Sequence, residues 1–138
     1  MTKAITNLND LLRTMAPTLN DGVYAYTVLP PGAGAGGLPA LATFREAEGL
    51  TLIMREADAI AAGLPLLFRA AWITLSVHSD LQAAGLTAAF SRALADAGIG
   101  CNVVAAAHHD HLFVAFDRAD EAMACLKALQ DAGGVAGS

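Results

Sequence analysis

The stretch that decides the fold begins at Trp72-Ile73-Thr74-Leu75-Ser76-Val77. Ile73, Leu75 and Val77 face one way, and Thr74, Ser76 and His78 the other. A period of two is that of a half-buried strand. Past His78-Ser79-Asp80 the period changes. From Gly85 to Ala97, the residues Leu86, Ala89, Phe90, Ala93, Leu94 and Ala97 fall at i, i+3, i+4, i+7, i+8 and i+11, the apolar stripe of an amphipathic helix. Gly98 then stops the helix. Cys101 to Ala107 and His111 to Phe116 read as strands joined by His108-His109-Asp110. Ala119 to Leu129 reads as a closing helix with Ala119, Ala122, Met123, Leu126 and Leu129 on its apolar side. Gly133-Gly134 and the Ser138 end are expected to fray. The order β-α-β-β-α predicts an α+β fold: an antiparallel sheet with both helices on one face, a ferredoxin-like βαββαβ sandwich. Its final strand is missing from the C-terminal end, and strands of the first half could fill the place.

Working back toward the N-terminus, Leu8, Leu11, Leu12 and Met15 mark a short helix, with Asn7 as its N-cap and Pro17 as its stop. Asn20-Asp21-Gly22 is a turn, and Val23 to Val28 reads as a strand. Pro30 to Pro39 is a glycine-rich loop. Ala42 to Glu46 and Leu50 to Met54 form a hairpin around Glu48-Gly49, and Ala57 to Gly63 is a short helix. The chain divides near Phe68 into halves 1–67 and 68–138, whose sheets are expected to be shared or packed on one another.

Composition narrows the function. The chain has 138 residues, 55% hydrophobic and only 15% charged, which excludes disorder. Eight basic against thirteen acidic residues give a net charge of −5, with no Lys/Arg cluster, so no nucleic-acid partner is expected. No membrane segment is expected either. The apolar stretch between Asp58 and Arg69 is broken by Gly63 and Pro65, well short of the ~20 residues a spanning helix needs. Met1-Thr2-Lys3-Ala4 leads into Asn7, Asn9 and Asp10 rather than an apolar leader. Cys101 and Cys125 lack a paired spacing and read as reduced core thiols, so a cytoplasmic location is expected.

Three places carry candidate chemistry. All four histidines are His78, His108, His109 and His111, and three of them crowd one turn with Asp110. Imidazoles and a carboxylate suit zinc or nickel, with His109 and His111 on one face and His78 joining from a neighbouring strand. The alternatives are contacts to a small anion or simply a polar turn. The loop Pro31-Gly32-Ala33-Gly34-Ala35-Gly36-Gly37 lacks the Gly-Lys-Ser/Thr of a phosphate loop, and Pro39 follows instead of a helix, so it reads as a connection. No nucleophile–base–orienter set is recognisable, so no catalytic residues are assigned. The third place is the junction His78 to Thr87. Free N–H groups at a helix start beside Gly85 can hold a carboxylate. Asn102, after Gly98-Ile99-Gly100-Cys101, offers a donor and an acceptor. The alternative is a tight turn and a cap beside an empty groove.

At these residues the sequence resembles the ACT domain, a small-molecule-sensing module. The resemblance runs through Ile73 to Ser79, Gly85-Leu86-Thr87-Ala88-Ala89, Cys101-Asn102-Val103-Val104 and His109 to Val114. In the first half it runs through Leu11-Leu12, Asp21-Gly22-Val23-Tyr24 and Arg45 to Ile53. The pattern looks like that of stand-alone bacterial proteins built from two ACT-like halves. It implies a non-catalytic regulatory protein without a cofactor, binding an amino acid at an interface and self-associating as a homodimer. The ligand loop would span Ser79, Asp80, Leu81, Gly85 and Leu86, and the return strand would bring Ile99 and Asn102. Ala84 stands where the family's turn has proline, and Gly100 where many members place asparagine. A metal-dependent function centred on His108 to His111 and a purely structural interaction module are the alternative readings.

Overall fold

A computed structural model describes residues 8–76 and 85–136. Asn7, Val77, His78, Ser79, Asp80 and Leu81 lie outside them. The chain forms two compact units, one of residues 21–71 and one of residues 1–20 with 72–138.

The unit of residues 21–71 holds β2 (Tyr24–Leu29), β3 (Ala40–Glu46), β4 (Gly49–Arg55), α2 (Glu56–Ala61) and the first half of β5 (Phe68–Leu75). Its strand order is β3-β4-β2-β5, antiparallel throughout. Leu50, Leu52 and Met54 of β4 meet Ala59 of α2 in its core. In a ferredoxin-like plan a helix would link β2 to β3. Here the glycine-rich segment 30–39 does so, placing Ala35 and Leu38 against that core. The loop that the sequence predicts is therefore also a cover.

The second unit contains α1 (Leu8–Arg13), β1 (Pro17–Leu19), the rest of β5, α3 (Gly85–Asp96), β6 (Asn102–Ala105), β7 (Asp110–Ala115) and α4 (Ala119–Ala136). Its strand order, β1-β5-β7-β6, completes the ferredoxin-like plan. The missing last strand comes from the N-terminus: Pro17, Thr18 and Leu19 pair with Leu75, Thr74 and Ile73. Backbone bonds prolong this ladder at both ends, Ser76 N to Met15 O at 3.0 Å and Asn20 N to Trp72 O at 2.9 Å. Pro17 thus opens a strand instead of merely ending a helix. Ile73, Leu75, Leu112 and Val114 are fully buried on the helix side, with Phe90 and Leu94 of α3 and Leu126 of α4.

Two further expectations are corrected. The turn between β6 and β7 is 106–109, closed by Ala106 N to His109 O at 3.0 Å, and Asp110 already belongs to β7 and is buried. Secondly, α4 does not fray at Gly133-Gly134 but runs on to Ala136. Gly133 lies against α1, where Leu12 leaves no room for a side chain, and Gln130 Nε2 donates to Arg13 O at 2.9 Å.

Candidate functional site

The two ends of α3 carry the described part of the expected ligand site. At its start, Gly85 has a neighbour: a β-carbon there would lie 3.2 Å from Leu8 Cδ1, so α1 fills that side of the turn. Leu86 is fully buried, so a ligand would meet only its backbone. At the other end, Gly98 takes a positive φ of 75°. Its N–H reaches Ala95 O at 2.9 Å, and Ile99 N–H reaches Leu94 O at 2.9 Å. This is the Schellman arrangement, in which the residue after the glycine packs back on the helix, and Ile99 is accordingly buried. Arg118 donates to Ala97 O and Gly98 O and pairs with Glu121, satisfying the last carbonyls.

Asn102 opens β6 directly beyond that cap. It is exposed, opposite Phe113, and its amide makes only a long 3.5 Å approach to Phe113 O. Gly85 and Asn102 are therefore not brought together within one unit. The twelve residues of α3 separate them, a span of about 18 Å along the axis.

The described histidines have partners of another kind in the sheet and its turn. Among the described residues no group of three or more His, Cys, Asp or Glu is placed to hold a metal ion. His111 instead points along the sheet face opposite the helices, where Trp72 Nε1–H donates to His111 Nδ1 at 3.0 Å. Thr74 Oγ1 lies 3.2 Å from the same nitrogen. Asn20 Nδ2–H donates to Thr74 Oγ1 at 2.9 Å and also approaches Trp72 O. Because an indole N–H can only donate, His111 Nδ1 is unprotonated there and the Thr74 hydroxyl is its second donor. Burial, then the nearby His109, push the His111 pKa below its usual value, and Asp110 partly offsets this. Burial raises the Asp110 pKa, against the opposing effect of His111. Sequence reasoning missed this role of His111. The available signal was the alternation that sets Trp72 and Thr74 on the outward face of their strand.

Neither cysteine is poised as a nucleophile. Burial pushes the Cys101 thiol up to about 11. Cys125 is raised by burial and then by Asp96, and its Sγ donates to Ala93 O at 3.3 Å.

Two family models described as ACT domain match this chain, over residues 3–71 and 68–128. The chain belongs to the ACT-domain family. The two matches follow one another along the sequence, and family members of this kind are regulatory modules that bind small molecules. Among solved structures, VC0802 of Vibrio cholerae, a protein of unknown function described as a possible transport protein, is 42% identical with a TM-score of 0.80, covering 89% of this chain and 95% of that one. Atu0741 of Agrobacterium tumefaciens is similar at 17% identity and a TM-score of 0.64, covering 83% and 87%. The regulatory subunit of aspartate kinase from Thermus flavus matches at 8% identity and a TM-score of 0.60, covering 82% and 95%, a likeness of fold. A search of curated proteins finds no match. No helix among the described residues of this ACT protein is long and apolar enough to cross a membrane.

Proposed function

We propose that this ACT protein is a non-catalytic regulatory module that binds an amino acid between two copies of itself. The observation that carries the reading is the tandem ACT match, 3–71 and 68–128, on a chain with two ferredoxin-like units. The site geometry sharpens it. The helix start at Gly85 and the amide of Asn102 lie at opposite ends of α3, so one small ligand meeting both needs the second from another copy. Backbone N–H groups at the start of α3, aided by the helix dipole, suit the ligand carboxylate. Asn102 of the other copy offers an acceptor for the ammonium. The raised thiol pKa values and the engaged Nδ1 of His111 support the absence of catalysis.

The test is thermal denaturation of ligand-free protein with each proteinogenic amino acid in turn. Saturation a hundredfold above Kd stabilises by about 2.7 kcal/mol, or roughly 5–10 °C for a domain of this size. Asn102→Ala is expected to abolish the shift and leave the ligand-free melting temperature unchanged. If none of the amino acids moves the transition of the wild-type protein, the reading fails.

A further inference from the structure

The ring of His111 joins β7 to β5, and Asn20, just past β1, completes the network through Thr74. Its Nδ1 has one in-plane lone pair, and two donors converge on it, Trp72 Nε1–H at 3.0 Å and the Thr74 hydroxyl at 3.2 Å. Asn20 fixes the direction of the second donor, because its Nδ2–H occupies the acceptor side of Thr74 Oγ1 at 2.9 Å. So held, Trp72 stacks on Phe113 with ring planes 16° apart and centroids at 6.4 Å, and Phe113 is 2% exposed. Trp72 and His111 are themselves only half-buried, so solvent reaches the latch without unfolding.

We propose that His111 is a proton-operated latch: neutral, it holds Trp72 flat over Phe113, and protonated at Nδ1 it releases the indole and bares this sheet face. The conflict is stereochemical. A protonated Nδ1 presents a hydrogen to an indole N–H that has only a hydrogen to offer, so the 3.0 Å contact cannot persist. The surroundings set where the latch trips. His109, whose Nδ1 is buried without a partner, stands on the adjoining turn with His108 beside it. Asp110 precedes His111 on β7 and favours the charged ring. Of the described residues alongside, β5 gives Trp72 and Thr74, β6 gives Val104 opposite His111, and the end of β1 leads to Asn20. Of the residues proposed for the amino-acid site, Gly85 takes no part in the latch, and Asn102 approaches it only at the Phe113 backbone carbonyl.

Trp72 is the chain's one tryptophan and reports on the latch directly. Between about pH 7.5 and 5, where histidine titrates, wild-type emission is expected to shift to the red in a single-proton transition with a midpoint below 6.5, at constant far-UV circular dichroism. His111→Asn puts an untitratable amide oxygen near the place of Nδ1 and is expected to give a flat profile. His109→Asn is expected to retain the transition. In the wild-type protein, independently of any variant, the Trp72 indole N–H resonance is expected to move with the same midpoint as the His111 ring carbons. A flat wild-type profile, a transition surviving His111→Asn, one lost with His109→Asn, or an indole resonance that ignores the His111 titration would each overturn the proposal.

Discussion

At Cys101 the environment reverses what a free thiol would do. The side chain sits half-buried just before β6, and desolvation of the thiolate pushes its pKa up to about 11. At pH 8 the reactive thiolate is then a minute fraction, so thiol exchange with a disulfide reagent is expected to be about two orders of magnitude slower in the folded protein than after denaturation. Stopped-flow traces on Cys125→Ser, with and without guanidinium at one pH, measure it, and equal rates would contradict the burial argument. The bland reading of both cysteines was open to sequence analysis, because they lack partners at any functional spacing. The role of His111 was not. Alternation places Trp72 and Thr74 on the outward face, yet nothing local says that the strand carrying His111, 39 residues away from Trp72, lies alongside. The histidine cluster therefore reads as a ligand set until the strand order is known.

Among the elements, those with a strong internal period were legible. The amphipathic stripe of α3, its Gly98 cap and the β3–β4 hairpin lie where spacing and turn chemistry put them. The two that escaped were decided by neighbours. In β1 three residues beginning with proline are too short to show a period. In α4, Gly133-Gly134 looks like a helix end because glycine lowers helix propensity, yet close packing on α1 holds the helix there. This contact yields a prediction of unusual sign. Gly→Ala inside a helix ordinarily gains roughly 1 kcal/mol. At Gly133 the added carbon would lie 2.5 Å from Leu12 Cβ and 3.4 Å from Arg13 N. A Cβ fixed to the backbone cannot swing aside, so overpacking of about 1–3 kcal/mol is expected to outweigh the gain. Urea denaturation of Gly133→Ala, Leu12→Ala and the double variant would show a destabilised first variant and a coupling term between the two. A Gly133→Ala protein more stable than wild type would mean that α1 and α4 do not meet this closely.

At the scale of the molecule, the family resemblance and the β-α-β-β-α order made the ferredoxin-like plan readable, and even the vacancy at the end of the second half. That strands of the first half could fill the vacancy was readable too, but which strand does so was not, because a pairing across more than fifty residues leaves no local pattern. The unit around α3 and α4 takes its fourth strand and a helix from the first twenty residues of the chain. That insertion has an energetic consequence. Leu11, Leu12 and Met15 are all buried in this unit, and at about 1.5–3 kcal/mol each they supply roughly 5–9 kcal/mol. Whole domains of this kind are stable by only about 5–15 kcal/mol. Residues 68–138 alone, although they contain nearly the entire ACT pattern of the second half, would also leave the β1-facing edge of β5 unpaired. That fragment is therefore expected to lack a cooperative thermal transition. Residues 68–138 followed by a flexible Gly/Ser linker and residues 1–20 restore the βαββαβ order in a single permuted chain, with α1 returned to the groove beside Gly133. This permuted chain is expected to melt cooperatively and to give dispersed amide resonances. If the fragment of 68–138 alone melts as sharply as the permuted chain, the N-terminal strand is an ornament on the second unit instead of its last structural member.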